Sequence, residues 1–157
     1  MMFLNAQKPN LLKDPYIFGA DSLIFDLEDA VALPEKDAAR FTLFHTLKKG
    51  NFRGAEKVVR INGIDTPFWK EDIRAAVFAG CDSIRIPKTE SGEDILLVEK
   101  EVRKAEEEAS VETGTTLLMA AIESAKGVLH LPEICTASPR LFGVALSEGD
   151  YTKDLHT

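Results

Sequence analysis

Apolar residues along this chain come in short runs, and stretches with helical spacing separate them. Met2–Ala6 ("MFLNA") is a short candidate strand, followed by a turn rich in Lys, Asn and Pro. Ser22–Glu28 ("SLIFDLE") is a stronger one, and further strands are predicted over 57–62 ("KVVRIN"), 83–88 ("SIRIPK"), 115–123 ("TTLLMAAIE") and 141–147 ("LFGVALS"). Between the second and third lies "PEKDAARFTLFHTLKK", a helix opened by Pro34 and stopped by Gly50. Its apolar face is Ala38, Phe41, Leu43, Phe44 and Leu47. Another helix starts at Thr66 and Pro67, where a hydroxyl can cap free amide hydrogens and proline loses no bond, and it ends before Gly80. Ser91 with Asp94 has the form of a capping box for a helix running to about Ala109. The many Glu and Lys residues of that helix read as a solvated outer face. A shorter helix is expected over 127–137, and none after the sixth strand.

Strand starts recur at intervals of about 20 to 30 residues, as βα units require. The runs are continuously apolar rather than alternating, which is how strands covered on both faces read. Neither GxGxxG nor GxxxxGK[ST] occurs, so the two usual nucleotide fingerprints are absent. Periodicity alone permits a doubly wound sheet or a (β/α) barrel, and the barrel wants eight units where six are legible.

At 157 residues the chain is long enough for one domain with a real core. Its 26 acidic and 19 basic residues give a formal charge of −7, which argues against a general nucleic-acid binder. Cys81 and Cys135 form no CxxC motif, and His45, His130 and His156 have no metal-ligand spacing. No run approaches the length of a membrane span, and the start lacks the pattern of a secretory signal, so a cytoplasmic protein is expected.

The chemistry worth weighing sits where the strands end. Asp26, Glu28 and Asp29 follow the most hydrophobic strand, Arg60 and Asn62 share one side of the next, and Lys88 closes another. Glu123 ends a long apolar run, and Glu148 and Asp150 follow the last strand. A glutamate in such a run is costly to bury alone, so either a cation or an arginine such as Arg60 should meet it. Glu123 and Asp150 are either separate loop acids or a pair for a divalent metal, and oxygen ligands of this kind suit Mg²⁺. Arg60 is either the partner of a strand-end acid or a clamp for a substrate carboxylate. Lys88 reads as a surface lysine unless an apolar enclosure lowers its pKa enough for Schiff-base chemistry.

Five blocks, "FDLEDAVALPEKDAAR", "VVRING" with "DTPF", "DSIRIPKTES", "LLMAAIESAKGV" and "ALSEGDYTKDL", occur in an order that resembles the citrate lyase beta subunits and the related malyl-CoA lyases. The resemblance implies an α/β fold of TIM (β/α)8 barrel type, here incomplete. Residues 1–157 would be the N-terminal part of a single lyase domain, with the last two strands and a C-terminal segment missing. It also implies Mg²⁺-dependent cleavage of a citryl thioester to oxaloacetate and an acetyl thioester, or of a malyl or citramalyl thioester. In that picture Glu123 and Asp150 hold the metal, Arg60 binds and orients the substrate carboxylates, and Asp29 is a catalytic group just behind the metal. Implied partners are a thioester on an acyl-carrier protein or CoA, the citrate lyase alpha and acyl-carrier subunits, and further copies of the chain. Two blocks depart from the family pattern. The opening has Asn5 and Ala6 where Pro and Gly are usual, and Gly149 stands where an acid usually precedes Asp150. A pocket built from six units alone is expected to turn over citryl or malyl thioesters negligibly, because its wall lacks rigid support.

Overall fold

A computed structural model describes residues 1–156. Six strands, β1 (Met2–Asn5), β2 (Ser22–Asp26), β3 (Glu56–Arg60), β4 (Ser83–Ile86), β5 (Leu117–Ile122) and β6 (Leu141–Leu146), form one sheet. Every neighbouring pair is parallel, and the spatial order is the chain order. There is no reversal at the centre, so the doubly wound alternative fails. The sheet stays open, an incomplete (β/α) barrel with β1 and β6 at its two edges.

Three long helices cover one face: α2 (Lys36–Lys49), α3 (Trp69–Ala79) and α4 (Gly92–Ala109). They follow α1, a single turn at Pro9–Leu12. Leu23, Phe25, Val59, Ile84, Ile86, Leu118 and Ile122 from the sheet meet Leu43, Ile73, Ala76, Ile95, Val98 and Val102 from the helices in one core. Side chains alternate along a strand, so the residues between these face the other side of the sheet. One lateral row there is Asn5, Asp26, Arg60, Arg85 and Met119, set in register across five strands. Polar residues thus cross the sheet near its carboxyl edge while the opposite face stays apolar.

Several local expectations hold and others shift. The Ser91 hydroxyl accepts from Asp94 N–H and the Asp94 carboxylate accepts from Ser91 N–H, so the capping box is real. Gly80 ends α3 with φ +84°, a conformation that costs glycine little. Pro34 lies in a short 3-10 turn, Leu33–Glu35, and α2 begins only at Lys36. The buried face of α2 is Lys36, Ala39, Leu43 and Leu47, while Phe41 is exposed. Thr66 does not cap α3, which starts at Trp69 without a side-chain cap; its hydroxyl instead bonds Gly63 O in the preceding turn. The helix expected over 127–137 is two short ones, α5 (Ala125–Leu129) and α6 (Leu131–Thr136), because Pro132 cannot continue the first. A helix, α7 (Glu148–Asp154), does follow β6.

The solvated-face reading of α4 fails at Glu106. This carboxylate is fully buried and accepts two hydrogen bonds from Arg140, both at 2.9 Å, plus those of Thr116 N–H and Gly114 N–H. The pair ties α4 to the start of β6. Burial pushes the Glu106 carboxyl up, but Arg140 and the two backbone donors outweigh it, and the net shift is downward. Stability from this site is therefore present above the ordinary carboxylate range and is lost as pH falls through the lowered value. Arg140→Met should destabilise the fold by about 3–5 kcal/mol in urea titrations, since it strands a buried charge. Glu106→Leu combined with Arg140→Met should recover most of that loss.

Candidate functional site

The site begins with Asp26, the last residue of β2, opposite Arg60, the last of β3. Arg60 Nε and Nη2 donate to the two Asp26 oxygens at 2.8 and 2.7 Å, a bidentate pair. The same carboxylate accepts from Glu28 N–H and Ala30 N–H, which bends the chain back over the strand end. Lys36, buried at the start of α2, donates its ammonium to the carbonyls of Leu27 and Glu28 at 2.7 and 2.6 Å. Backbone from 27 to 30 is therefore held from below by Asp26 and from the side by Lys36.

That loop carries Glu28 and Asp29. Glu28 is buried, with Arg60 Nη1 3.1 Å from one oxygen and Lys88 Nζ 3.1 Å from the other. Both contacts are ion pairs. Burial raises the Glu28 carboxyl above its ordinary value, against the pull of Arg60 and Lys88. Arg60 itself loses some of its hold on its proton to burial and more than regains it from Asp26. Arg85, the next cation in the row, is buried, donates Nη1 to the Met119 sulfur and leaves Nε without a partner.

Lys88 follows β4 in a left-handed backbone conformation, φ +48°, which a β-carbon makes unfavourable. Its backbone N–H lowers the pKa of Glu123, at the end of β5, but burial first and then the Asp150 carboxylate raise it further. Asp150 comes from the first turn of α7 and is held low, chiefly by Lys153, which donates to it at 2.8 Å. Asp29, Lys88, Glu123 and Asp150 together line one cavity of about 710 Å³ at the carboxyl edge of the sheet, with Glu90 and Ser124 beside them. A smaller cleft of about 270 Å³ lies between α2 and α3 and is walled largely by Phe41, Phe44 and Phe78, with no converging acids.

The expected residues are thus distributed unevenly. Glu123, Asp150 and Asp29 share the cavity wall, whereas Arg60 lies behind it, engaged with Asp26, Glu28 and, at 3.7 Å, Asp29. Asn62 does not stay beside Arg60. It lies past the end of β3, and its amide donates to Asp72 on α3. Lys88 is exposed and its pKa is raised by Glu28, the wrong direction for a Schiff-base nucleophile. Cys81 is pushed up to about 12 by burial and stays a thiol. Lys36 was not legible as part of the site, because a lysine in the first turn of an amphipathic helix reads as surface. Gly127 of α5 has a steric reason: a β-carbon there would lie 2.6 Å from Thr89 O, in the segment that presents Lys88.

Among the described residues, no three acid, His or Cys side chains converge as a formed metal centre. The donor chemistry nevertheless fits Mg²⁺, which needs one or two carboxylates and keeps several waters. Glu123, whose pKa is raised first by burial and then by the neighbouring Asp150, forms with it a pair that a cation would relieve.

The profile of the HpcH/HpaI aldolase/citrate lyase family matches residues 1–157. Citrate lyase subunit beta of Leuconostoc mesenteroides subsp. cremoris is 51% identical over 157 residues, all of this chain and 52% of that protein. The Escherichia coli (strain K12) subunit is 41% identical over the same length, and a (3S)-malyl-CoA thioesterase of Cereibacter sphaeroides is 34% identical over 155 residues. The chain spans about half the length of these relatives: 52%, 52% and 50%. A citrate lyase beta subunit from M. tuberculosis complexed with oxaloacetate and magnesium superposes with a TM-score of 0.75 at 27% identity, covering 99% of this chain and 60% of that one. RipC from Yersinia pestis gives 0.75 at 28%, again over 99% and 60%.

The raised Glu123 carboxyl has a stability consequence. An acid whose folded pKa lies above its unfolded value penalises the fold above that value, and the penalty vanishes below about pH 4.3, where both states are protonated. Metal-free Glu123→Gln should therefore melt higher than the unsubstituted protein at pH 7, and the gap should close on acidification. Equal melting temperatures across the range would contradict the burial assigned to this carboxylate.

Proposed function

Because the chain belongs to the HpcH/HpaI aldolase/citrate lyase family, we propose that its cavity is the metal-and-oxo-acid site of a citryl-thioester lyase. The reaction is cleavage of a citryl thioester, carried on an acyl-carrier protein or CoA, to oxaloacetate and an acetyl thioester. The residues would form the first six βα units of a single barrel domain. The observation that carries this reading is the buried Glu123 beside Asp150 in the cavity at the carboxyl edge of a parallel sheet, where barrel enzymes place their chemistry. Higher identity to citrate lyase beta subunits than to the malyl-CoA thioesterase favours the citryl substrate over a malyl or citramalyl one.

Glu123 and Asp150 would hold Mg²⁺, which when bound polarises the hydroxyl oxygen that becomes the ketone. Asp29, exposed on the same wall, accepts the hydroxyl proton. As the carbon–carbon bond breaks, its electron pair passes to the thioester as an enolate, which takes up a proton from water to give the acetyl group, while Asp29 releases the hydroxyl proton to solvent. Arg60 supplies fixed positive charge behind the wall, which draws the oxo-acid carboxylate toward that side without direct contact. Its attachment to Asp26 prevents it from swinging, so reorganisation on binding is small.

Mn²⁺ titration followed by electron paramagnetic resonance tests the metal assignment without needing turnover. The unsubstituted chain should bind one ion, and Glu123→Gln or Asp150→Asn should each weaken it by about tenfold or more, the worth of one charge-assisted contact. Unchanged affinity in both variants would remove the two carboxylates from the role given to them.

A further inference from the structure

The cations near the cavity are not equally free to meet a substrate. Arg60 spends Nε and Nη2 on Asp26, and Nη1 faces Glu28. Lys153 donates to Asp150. Arg85 is buried and is absent from the cavity wall. Lys88 differs from the two arginines in lining the cavity. It differs from Lys153, which lines it too, in that its partner Glu28 lies outside the cavity wall, whereas Lys153 is held by the Asp150 assigned to the metal. The Lys88 side chain is 59% exposed, and among the described residues Glu28 is the one carboxylate within ion-pair reach of its amine.

We propose that Lys88 is a specificity residue, receiving the second carboxylate of a substrate or product that carries one beyond the 2-hydroxy or 2-oxo acid unit. The inference rests on the proposed oxo-acid site and adds what that site selects. An ammonium has three donors, and Glu28 lies toward only one side of it. Glu28 is itself fixed, by Arg60 at its other oxygen and by Lys36 at its backbone carbonyl. The amine is thus anchored before any ligand arrives, which lowers the entropy cost of using it. The remaining wall is mostly acid, Asp29, Glu90, Glu123, Asp150 and Asp154 against a Lys153 already bonded to Asp150, so a dianionic ligand would be repelled without a further cation placed there. The left-handed backbone points the same way. A glycine would relieve it, yet the position holds a long cationic side chain turned onto Glu28 and the cavity.

Two stable probes isolate the second carboxylate: L-malate and L-lactate share the 2-hydroxy acid unit and differ in one carboxylate. Calorimetric titrations with saturating Mg²⁺ would compare the unsubstituted chain with Lys88→Met and Lys88→Arg, with a melting curve for each to verify folding. The unsubstituted chain should prefer malate by about tenfold or more. Lys88→Met should lose that preference through weaker malate binding, with lactate unchanged within about twofold, and Lys88→Arg should keep most of it. Retention of the full preference by Lys88→Met overturns the assignment, as do equal losses for both acids or the absence of any preference at the start. Failure of the unsubstituted chain to bind either acid with Mg²⁺ overturns the oxo-acid reading and this inference together, an outcome distinct from the other three.

Discussion

The Asp26–Arg60 pair is the contact on which the rest of the site depends. Both side chains are largely buried, and the parallel register of β2 and β3 sets them face to face. An ion pair so placed recovers its desolvation cost only if every strong donor and acceptor is used. Here geometry supplies two guanidinium bonds and two backbone N–H groups from the following loop to Asp26, with the third guanidinium nitrogen turned to Glu28. The strand end, the loop shape and the location of the next two acids follow from one carboxylate.

From that point outward, charge is arranged in layers. Asp26, Arg60 and Arg85 lie in one lateral row across the sheet. Glu28 and Lys88 form the next level, and Asp29, Glu123 and Asp150 meet the cavity. Inner groups neutralise one another, while the cavity wall keeps an excess of acid. That excess is what the proposed divalent cation would neutralise. The helix-covered face fixes strand positions by close packing, and adds to this arrangement the Lys36 ammonium on the Leu27 and Glu28 carbonyls.

The outer edge of the sheet differs from its centre. Ala120 and Ile122 on β5 are buried, while their partners Val144 and Leu146 on β6, with Phe142 on the same side, are exposed. β6 is held by its ladder to β5 and, at its base, by the Glu106–Arg140 pair, with less burial of its own side chains. A strand held at its base by a buried ion pair, with α7 beyond it, is how Asp150 reaches the cavity opposite Asp29.

Much of this was legible in the order of residues. Six apolar runs at βα spacing are enough for six parallel strands, and Ser91 with Asp94, and Gly80, are local signals whose physics acts within a few residues. Carboxylates at strand ends were legible too, because an acid after an apolar run must lie where the strand leaves the core. Tertiary structure alone decided which strand-end charges meet. Nothing near Arg60 in the chain says that Asp26, 34 positions earlier, will occupy both edges of its guanidinium. Nor could Lys36 be told from a surface lysine, or Lys88 from a Schiff-base candidate, since both assignments turn on Glu28 and its carbonyl. Glu106 looked like one more charge on a solvated helix until Arg140 was folded beneath it. Local propensity acts along the chain and can be read from it; Coulomb partners are chosen by strand register and burial, which exist only once the chain has folded.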